Sequence, residues 1–282
     1  MLSSESGKFL RKRLEMDQQT DFVLPVVLTI AGLDASGGAG ILADVRTITA
    51  FGCYPTAAIT AITFQNAAGV SGVIALDSAT LFGQVKPILS ELPVAAVKMG
   101  MLPTHEIVRE VVRIIREYQV RCLVVDPVMN STSGYELMDA TAVTELRENL
   151  LPLTLLVTPN IPEAERLVGF SIRDEAGMRR AAASIRGLGV RAVLIKGGHL
   201  ETGSEVFDVL DHDGEITVFR GIRIQGTEFR GTGCILAAGI TACLALGNPL
   251  EESVRRGRDF VSEAMRTASK VRGRGILFKP SC

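Results

Sequence analysis

The chain has 282 residues, 47% hydrophobic and 5% aromatic, with 28 glycines and no tryptophan, a composition suited to a large α/β core of aliphatic strands and helices joined by tight turns. Thirty basic residues against 31 acidic ones leave a net charge of −1, so nothing global points to nucleic acid or an anionic membrane, and any anion must be bound locally. No run approaches the roughly twenty apolar residues of a membrane span; five cysteines without a CxxC pair suit reduced thiols in the cytoplasm, and three histidines without metal-ligand spacing argue against structural zinc.

In chain order, MLSSESGKFLRKRLEMDQQTD has charges but no apolar core of signal-peptide length, and residues 1–22 are expected to be a polar, disordered extension. From residue 25, short aliphatic runs alternate with amphipathic segments. LPVVLTIAG is the first run, and it passes into GLDASGGAG (32–40), a glycine-rich strand-to-helix loop. A dinucleotide fingerprint wants an acidic residue about 20 residues further on, at the end of the second strand. YPTAAITAITFQN supplies none, and no GK[ST] closes a P-loop, so an NAD-dependent oxidoreductase is set aside. What remains is a loop whose backbone approaches a small ligand, with Asp34 at its start and Asp44 beyond Gly40; the alternative is a tight turn with a solvated Asp44.

VAAVKMG, RCLVVDP, LTLLVTP and RAVLIKGG are further continuous apolar runs, as strands covered on both faces would be. Between them, in 104–118, Ile107, Val108, Val111, Val112, Ile115 and Tyr118 recur at helical spacing, with Arg109, Glu110, Arg113, Arg116 and Glu117 on the other face. Segments 140–151 and 177–188 behave alike. The succession predicts one three-layer α/β/α sandwich over residues 23–275 with a central, mostly parallel sheet.

Ligands collect at the carboxyl ends of such strands, and the polar residues of this chain fall there. In TPNIPEAE, Asn160 and Glu163 can hold a hydrated magnesium between phosphates, or can simply cap a helix. Lys196 in LIKGGH can meet a polyphosphate, or snorkel. Asp126 in VVDPV is a second carboxylate at the same edge. Last comes RGTGCILAAGI (230–240), where Cys234 follows two glycines at the opening of a small, apolar helix. A helix N-terminus attracts anions and lowers a thiol's pKa. Phosphoryl transfer needs positioning, magnesium, hydrogen-bond donors and a base. The Gly231, Thr232 and Gly233 backbone can supply the donors and a Cys234 thiol of depressed pKa the base, whereas Cys53, Cys122 and Cys243 lie in apolar surroundings.

The ordered set LTIAGLDASGGAGILADVRT, ITFQNAAGV, VKMGML, VVDPVMNSTSG, LVTPNIPEAERL, VLIKGGHL and GTGCILAAGI, spanning roughly residues 25–265, resembles the hydroxymethylpyrimidine/phosphomethylpyrimidine kinases of thiamin biosynthesis, in the ribokinase superfamily. The resemblance implies a ribokinase-like fold and ATP-dependent phosphorylation of 4-amino-5-hydroxymethyl-2-methylpyrimidine and its monophosphate, with magnesium, in a cytoplasmic homodimer. It makes Cys234 the base and Gly231–Cys234 the anion hole. It puts Asp44 and Gln65 on the aminopyrimidine, lines the pocket with Gly32, Met101 and Val128, and sets Asn160, Glu163, Asp126 and Lys196 around the metal and the ATP phosphates, with Glu163 and Asp126 on the metal. The chain departs from the family at Leu33 and Ala35 (often GSDPSGGAG), at Arg230 (often a histidine), at Thr132 (a lysine in some members) and in its tail. Two rivals stay open: a pyridoxine or pyridoxal kinase of the same superfamily, and a non-catalytic pyrimidine-binding module.

Overall fold

The computed structural model describes residues 24–66, 68–200, 203–224, 229–270 and 276–277. The extension expected over 1–22 and most of the C-terminal tail lie outside these residues. The five aliphatic runs are strands: β1 (Val26–Asp34), β4 (Val94–Met99), β5 (Leu123–Val125), β6 (Leu156–Val157) and β7 (Ala192–Lys196). Four further strands complete the sheet, namely β2 (Tyr54–Asn66), β3 (Gly69–Ala75), β8 (Glu205–His212) and β9 (Glu215–Ile222). Their spatial order is β3-β2-β1-β4-β5-β6-β7-β8-β9. The six strands from β2 to β7 are parallel, and antiparallel hairpin strands flank them, β3 on one side and β8 and β9 on the other. All six parallel carboxyl ends therefore meet at one edge.

Successive strand residues point to opposite faces, and both faces are buried. Leu28, Leu123, Val125, Val193 and Ile195 join a core with helices α2 (Ser78–Glu91), α3 (His105–Glu117), α4 (Ala140–Glu145), α5 (Ile161–Val168) and α6 (Glu175–Arg186). Val27, Val124, Leu156, Ala192 and Leu194 face the other way, toward α1 (Gly40–Ala50), α7 (Thr232–Ala245) and α8 (Leu250–Arg266). The three-layer sandwich is the one expected. α7 is apolar nearly all round because it lies between the sheet on one side and α1 and α8 on the other, with Ile235 to Cys243 all buried. The helix expected over 140–151 is less regular: α4 passes into a π turn at Leu146–Leu150 and a 3₁₀ turn at Leu151–Leu153, where Pro152 cannot donate an amide hydrogen bond. Among the described residues, no helix is long and apolar enough to cross a membrane.

Candidate active site

The carboxyl-end edge opens into a cavity of about 380 Å³. Two helices aim their N-termini at it, α1 behind the loop that follows β1 and α7 behind Arg230 and Gly231; neither helix has a side-chain N-cap. First-turn N–H groups of α7 are thus left for a ligand, while at α1 the Gly40 N–H meets the Cys234 thiol. Both turns demand glycine. Gly231 has φ 75°, and a Cβ there would collide with the Gly38 carbonyl oxygen; Gly40 has φ 58°, and a Cβ there would strike the Gly32 carbonyl oxygen. The two glycine loops therefore pack backbone against backbone. Asp34 ties the first of them: Oδ1 accepts from the Ser36 N–H (2.9 Å) and hydroxyl (2.7 Å), and Oδ2 from the Ala39 N–H (3.0 Å).

Charges line the cavity wall beside α7. Lys196 Nζ lies 2.7 Å from Asp126 Oδ1, and a Cβ on Gly233 would be 3.1 Å from that ammonium, so the pair packs against the first turn of α7. Burial opposes ionisation of Asp126, but Lys196 and then Lys98 outweigh it and hold the carboxyl below its ordinary range. Glu163 sits in a full capping box: Asn160 Oδ1 accepts from the Glu163 N–H (2.9 Å) and Glu163 Oε2 from the Asn160 N–H (2.8 Å). Burial pushes its carboxyl up to about 7 against the pull of Lys196, and Asp126 adds to the rise. Capping and ligand binding are compatible here, because Glu163 and Asn160 both line the cavity as well.

The donor set suits magnesium. Among the described residues no group of three or more His, Cys, Asp or Glu forms a cage. Two carboxylates at the cavity wall, one of them pushed toward protonation chiefly by burial and further by the other, match an ion that keeps its waters and takes its remaining ligands from phosphates.

Another part of the lining is apolar, with Met101, Leu137 and Val128 in one cluster with Ala61. Gly32 lines it as well, and Gln65 stands at the end of β2 with its Oε1 3.0 Å from Thr63 Oγ1. A Cβ on Gly32 would lie 2.9 Å from the Met101 sulfur, so any side chain there would have to displace the Met101 side chain.

Of the residues singled out from sequence, Cys234, Gly231, Thr232, Gly233, Lys196, Asp126, Asn160, Glu163, Gln65, Gly32, Met101 and Val128 are brought together around the one cavity. Asp44 is not. Its side chain is fully buried behind the wall, with Oδ2 accepting from Thr29 Oγ1 (2.7 Å) and paired to Lys98 Nζ (2.8 Å), while Oδ1 has no hydrogen-bond partner. Nor is it solvated. It belongs to a buried ion pair, and Lys98, which does reach the cavity, is the residue that sequence reasoning missed. Burial works against the Lys98 ammonium, but Asp44 outweighs it and raises the pKa.

The acidity expected of Cys234 is also corrected. Burial pushes its thiol up to about 11, against Lys98 and a hydrogen bond from the Gly40 N–H, which act in the other direction. The helix end is there, but the desolvated thiol outweighs it.

The chain spans about half the length of the bifunctional thiamin-biosynthesis proteins it matches, 53%, 47% and 44% in three cases. It is 42% identical over 254 residues to the hydroxymethylpyrimidine/phosphomethylpyrimidine kinase of Rhizobium meliloti, covering 89% of this chain and 95% of that protein. Among solved structures, phosphomethylpyrimidine kinase from Clostridium difficile matches with TM-score 0.76 and 40% identity, over 86% of this chain and 99% of the other. Pyridoxal kinase from Staphylococcus aureus, in complex with AMP-PCP and pyridoxal, matches with TM-score 0.81 and 31% identity, over 90% and 92%. The family model described as phosphomethylpyrimidine kinase matches residues 34–277, a span that takes in every wall of the cavity except Ala31 and Gly32, and the chain belongs to the phosphomethylpyrimidine kinase family.

Proposed function

We propose that the protein is an ATP-dependent kinase over residues 23–275 that phosphorylates 4-amino-5-hydroxymethyl-2-methylpyrimidine, and then its monophosphate, for thiamin biosynthesis. The observation that carries this reading is the uncapped first turn of α7, with Cys234 in it, opening between the Lys196–Asp126–Glu163 wall and the Gln65–Met101–Val128 wall.

The substrate ring lies against Met101, Val128 and Gly32. Thr63 Oγ1 lies 3.0 Å from both the Leu33 carbonyl oxygen and Gln65 Oε1, and an amide oxygen accepts two hydrogen bonds, so Gln65 keeps an acceptor as well as its NH₂ donors for the edge of the ring. The hydroxymethyl group points at Cys234. Lys196 holds the phosphates of ATP, and the N–H groups of Gly231 to Cys234 meet the charge on the phosphoryl group in transfer. Glu163 and Asp126 would hold magnesium, with Asn160 beside them; the ion neutralises charge on the phosphate oxygens when bound. The thiol, with its pKa held up at about 11, must first release its proton to solvent; the minor thiolate form, its charge balanced by Lys98, then accepts the hydroxymethyl proton, which leaves late because the transition state is loose.

The protein acts in the cytoplasm as a homodimer in this reading. Support for the compartment is that Cys53, Cys122, Cys234 and Cys243 are all free thiols. For the dimer it is an apolar patch on the outer face of β2 and β3.

A coupled assay of ATP turnover with hydroxymethylpyrimidine, its monophosphate and pyridoxal tests the function. Turnover of both pyrimidines above pyridoxal is expected. Preference for pyridoxal would establish the second reading, which the likeness to the S. aureus enzyme favours. Binding without turnover would leave a pyrimidine-binding module.

A further inference from the structure

Arg230 is absent from the mechanism above, yet three separate segments of the chain converge on it. Its side chain is only 13% exposed. Nη2 lies 3.2 Å from Asp34 Oδ2, and Nη1 donates to the Asn66 carbonyl oxygen at 2.6 Å. Gly38 packs under the guanidinium, since a Cβ there would be 3.7 Å from Arg230 Cζ. The same Asp34 oxygen that meets Arg230 also accepts from the Ala39 N–H, the residue just before α1. Arg230 itself stands just before Gly231, the residue preceding α7. One guanidinium thus joins the loop that starts α1, the segment that starts α7, and the end of β2 beside Gln65.

We infer that Arg230 is a positioning residue: its fork onto Asp34 and Asn66 sets the spacing of the two uncapped helix N-termini that face the cavity, and with it the cradle for the transferred phosphoryl group. Arginine suits the task because a planar, always-charged fork fixes two acceptors at once. The ammonium of a lysine is a single point and cannot span the same pair with the same geometry. Asp34 keeps three other donors when Arg230 is removed, so the loop is loosened rather than left with an unpaired charge.

The inference rests on the kinase reading of the cavity, and the experiment separates the two. Amide hydrogen exchange on the full chain is compared for wild type, Arg230→Ala and Arg230→Lys, alongside steady-state kinetics. Faster exchange is expected in Arg230→Ala at both 36–41 and 231–236, with the central strands unchanged. For the same variant, kcat should fall by about 10- to 100-fold, the scale of an ångström's misplacement, with KM for pyrimidine and for ATP close to wild type. Arg230→Lys should fall between the two proteins. Unchanged protection at both segments overturns the inference, as does a raised KM for one substrate with kcat intact, which would make Arg230 a ligand contact. A wild-type chain without kinase turnover defeats the kinase reading instead, and the exchange arm then decides the clamp alone.

Discussion

Cys234 enters the first turn of α7 as a thiol, and that protonation state governs how its role shows itself. A base must be deprotonated to act, and with burial holding the pKa up to about 11, the thiolate fraction of the free enzyme grows steadily above neutrality. kcat/KM, which reports the free enzyme, is expected to keep rising with pH in that range, and the rising limb should vanish in Cys234→Ala. That variant should lose about 10²- to 10⁴-fold in kcat, the range for removing a general base; near-normal turnover would leave the backbone donors as the whole catalytic apparatus. Selective alkylation is a poor guide to the site, because Cys122 and Cys243 are also raised to about 11. For recognition, Gln65→Leu should raise KM for the pyrimidine and leave KM for ATP alone, whereas equal shifts in both would move Gln65 off the ring. Gln65 could be placed by resemblance because it closes a strand at the ligand edge. Asp44 was misplaced because what decides its direction is Lys98, 54 residues away on β4, and no local spacing reports such a partner.

At the level of the element, the pair that starts α5 caps the helix and, in the proposed function, also holds the metal. Asn160 and Glu163 form a capping box, and Gln at the third helical position serves that box as well as Glu. Glu163→Gln should therefore keep the fold while weakening magnesium-dependent turnover; a variant that unfolds but retains specific activity when folded would reduce the pair to a cap. Stability carries a second signature. The carboxyl is raised from 4.5 to about 7, so the native state favours the protonated form, and this contribution is fully present below about pH 4.5 and lost as pH rises through about 7. Thermal unfolding of the ligand-free protein should decline more steeply across that window in wild type than in Glu163→Gln, and parallel slopes would place the charge elsewhere. The five buried strands were legible in sequence because a strand covered on both faces is a continuous apolar run. YPTAAITAITFQN enters as the second strand only in the test of the dinucleotide fingerprint, and β3, β8 and β9 were not legible at all, since hairpin strands half open to solvent mix apolar with polar residues, as in EVFDVLDH of β8. The π turn after α4 escaped for a related reason, because its Leu146 and Leu150 keep helical spacing while the backbone widens.

Across the whole molecule, the proposed function puts both recognition and assembly on the β2–β3 hairpin. The inner face of β2 carries Ala61, Thr63 and Gln65 toward the cavity side, with Ala61 packed beside Met101 and Leu137. Its outer face shows Ile62 and Phe64 at 37% and 51% exposure, next to Ile74 of β3 at 50%. Ile62 pairs directly with Ile74 and Phe64 with Gly72 in the antiparallel register, so the three side chains form one apolar patch. β3 is also the edge strand of the sheet. Contiguous exposed apolar surface on a sheet edge invites a partner, and a second copy of the chain covers it in the dimer proposed above. Light scattering should give a mass of two chains, and Ile74→Lys should give one chain with the thermal stability of the rest of the fold retained. Because the same hairpin presents Gln65 from its other face, the monomeric variant should show a raised KM for the pyrimidine and little change for ATP, whose proposed contacts lie on β5 to β7, α5 and α7. A wild-type monomer would refute the dimer. A monomeric Ile74→Lys with wild-type kinetics would separate assembly from recognition, leaving the hairpin stiff enough on its own to hold Gln65 against the ring.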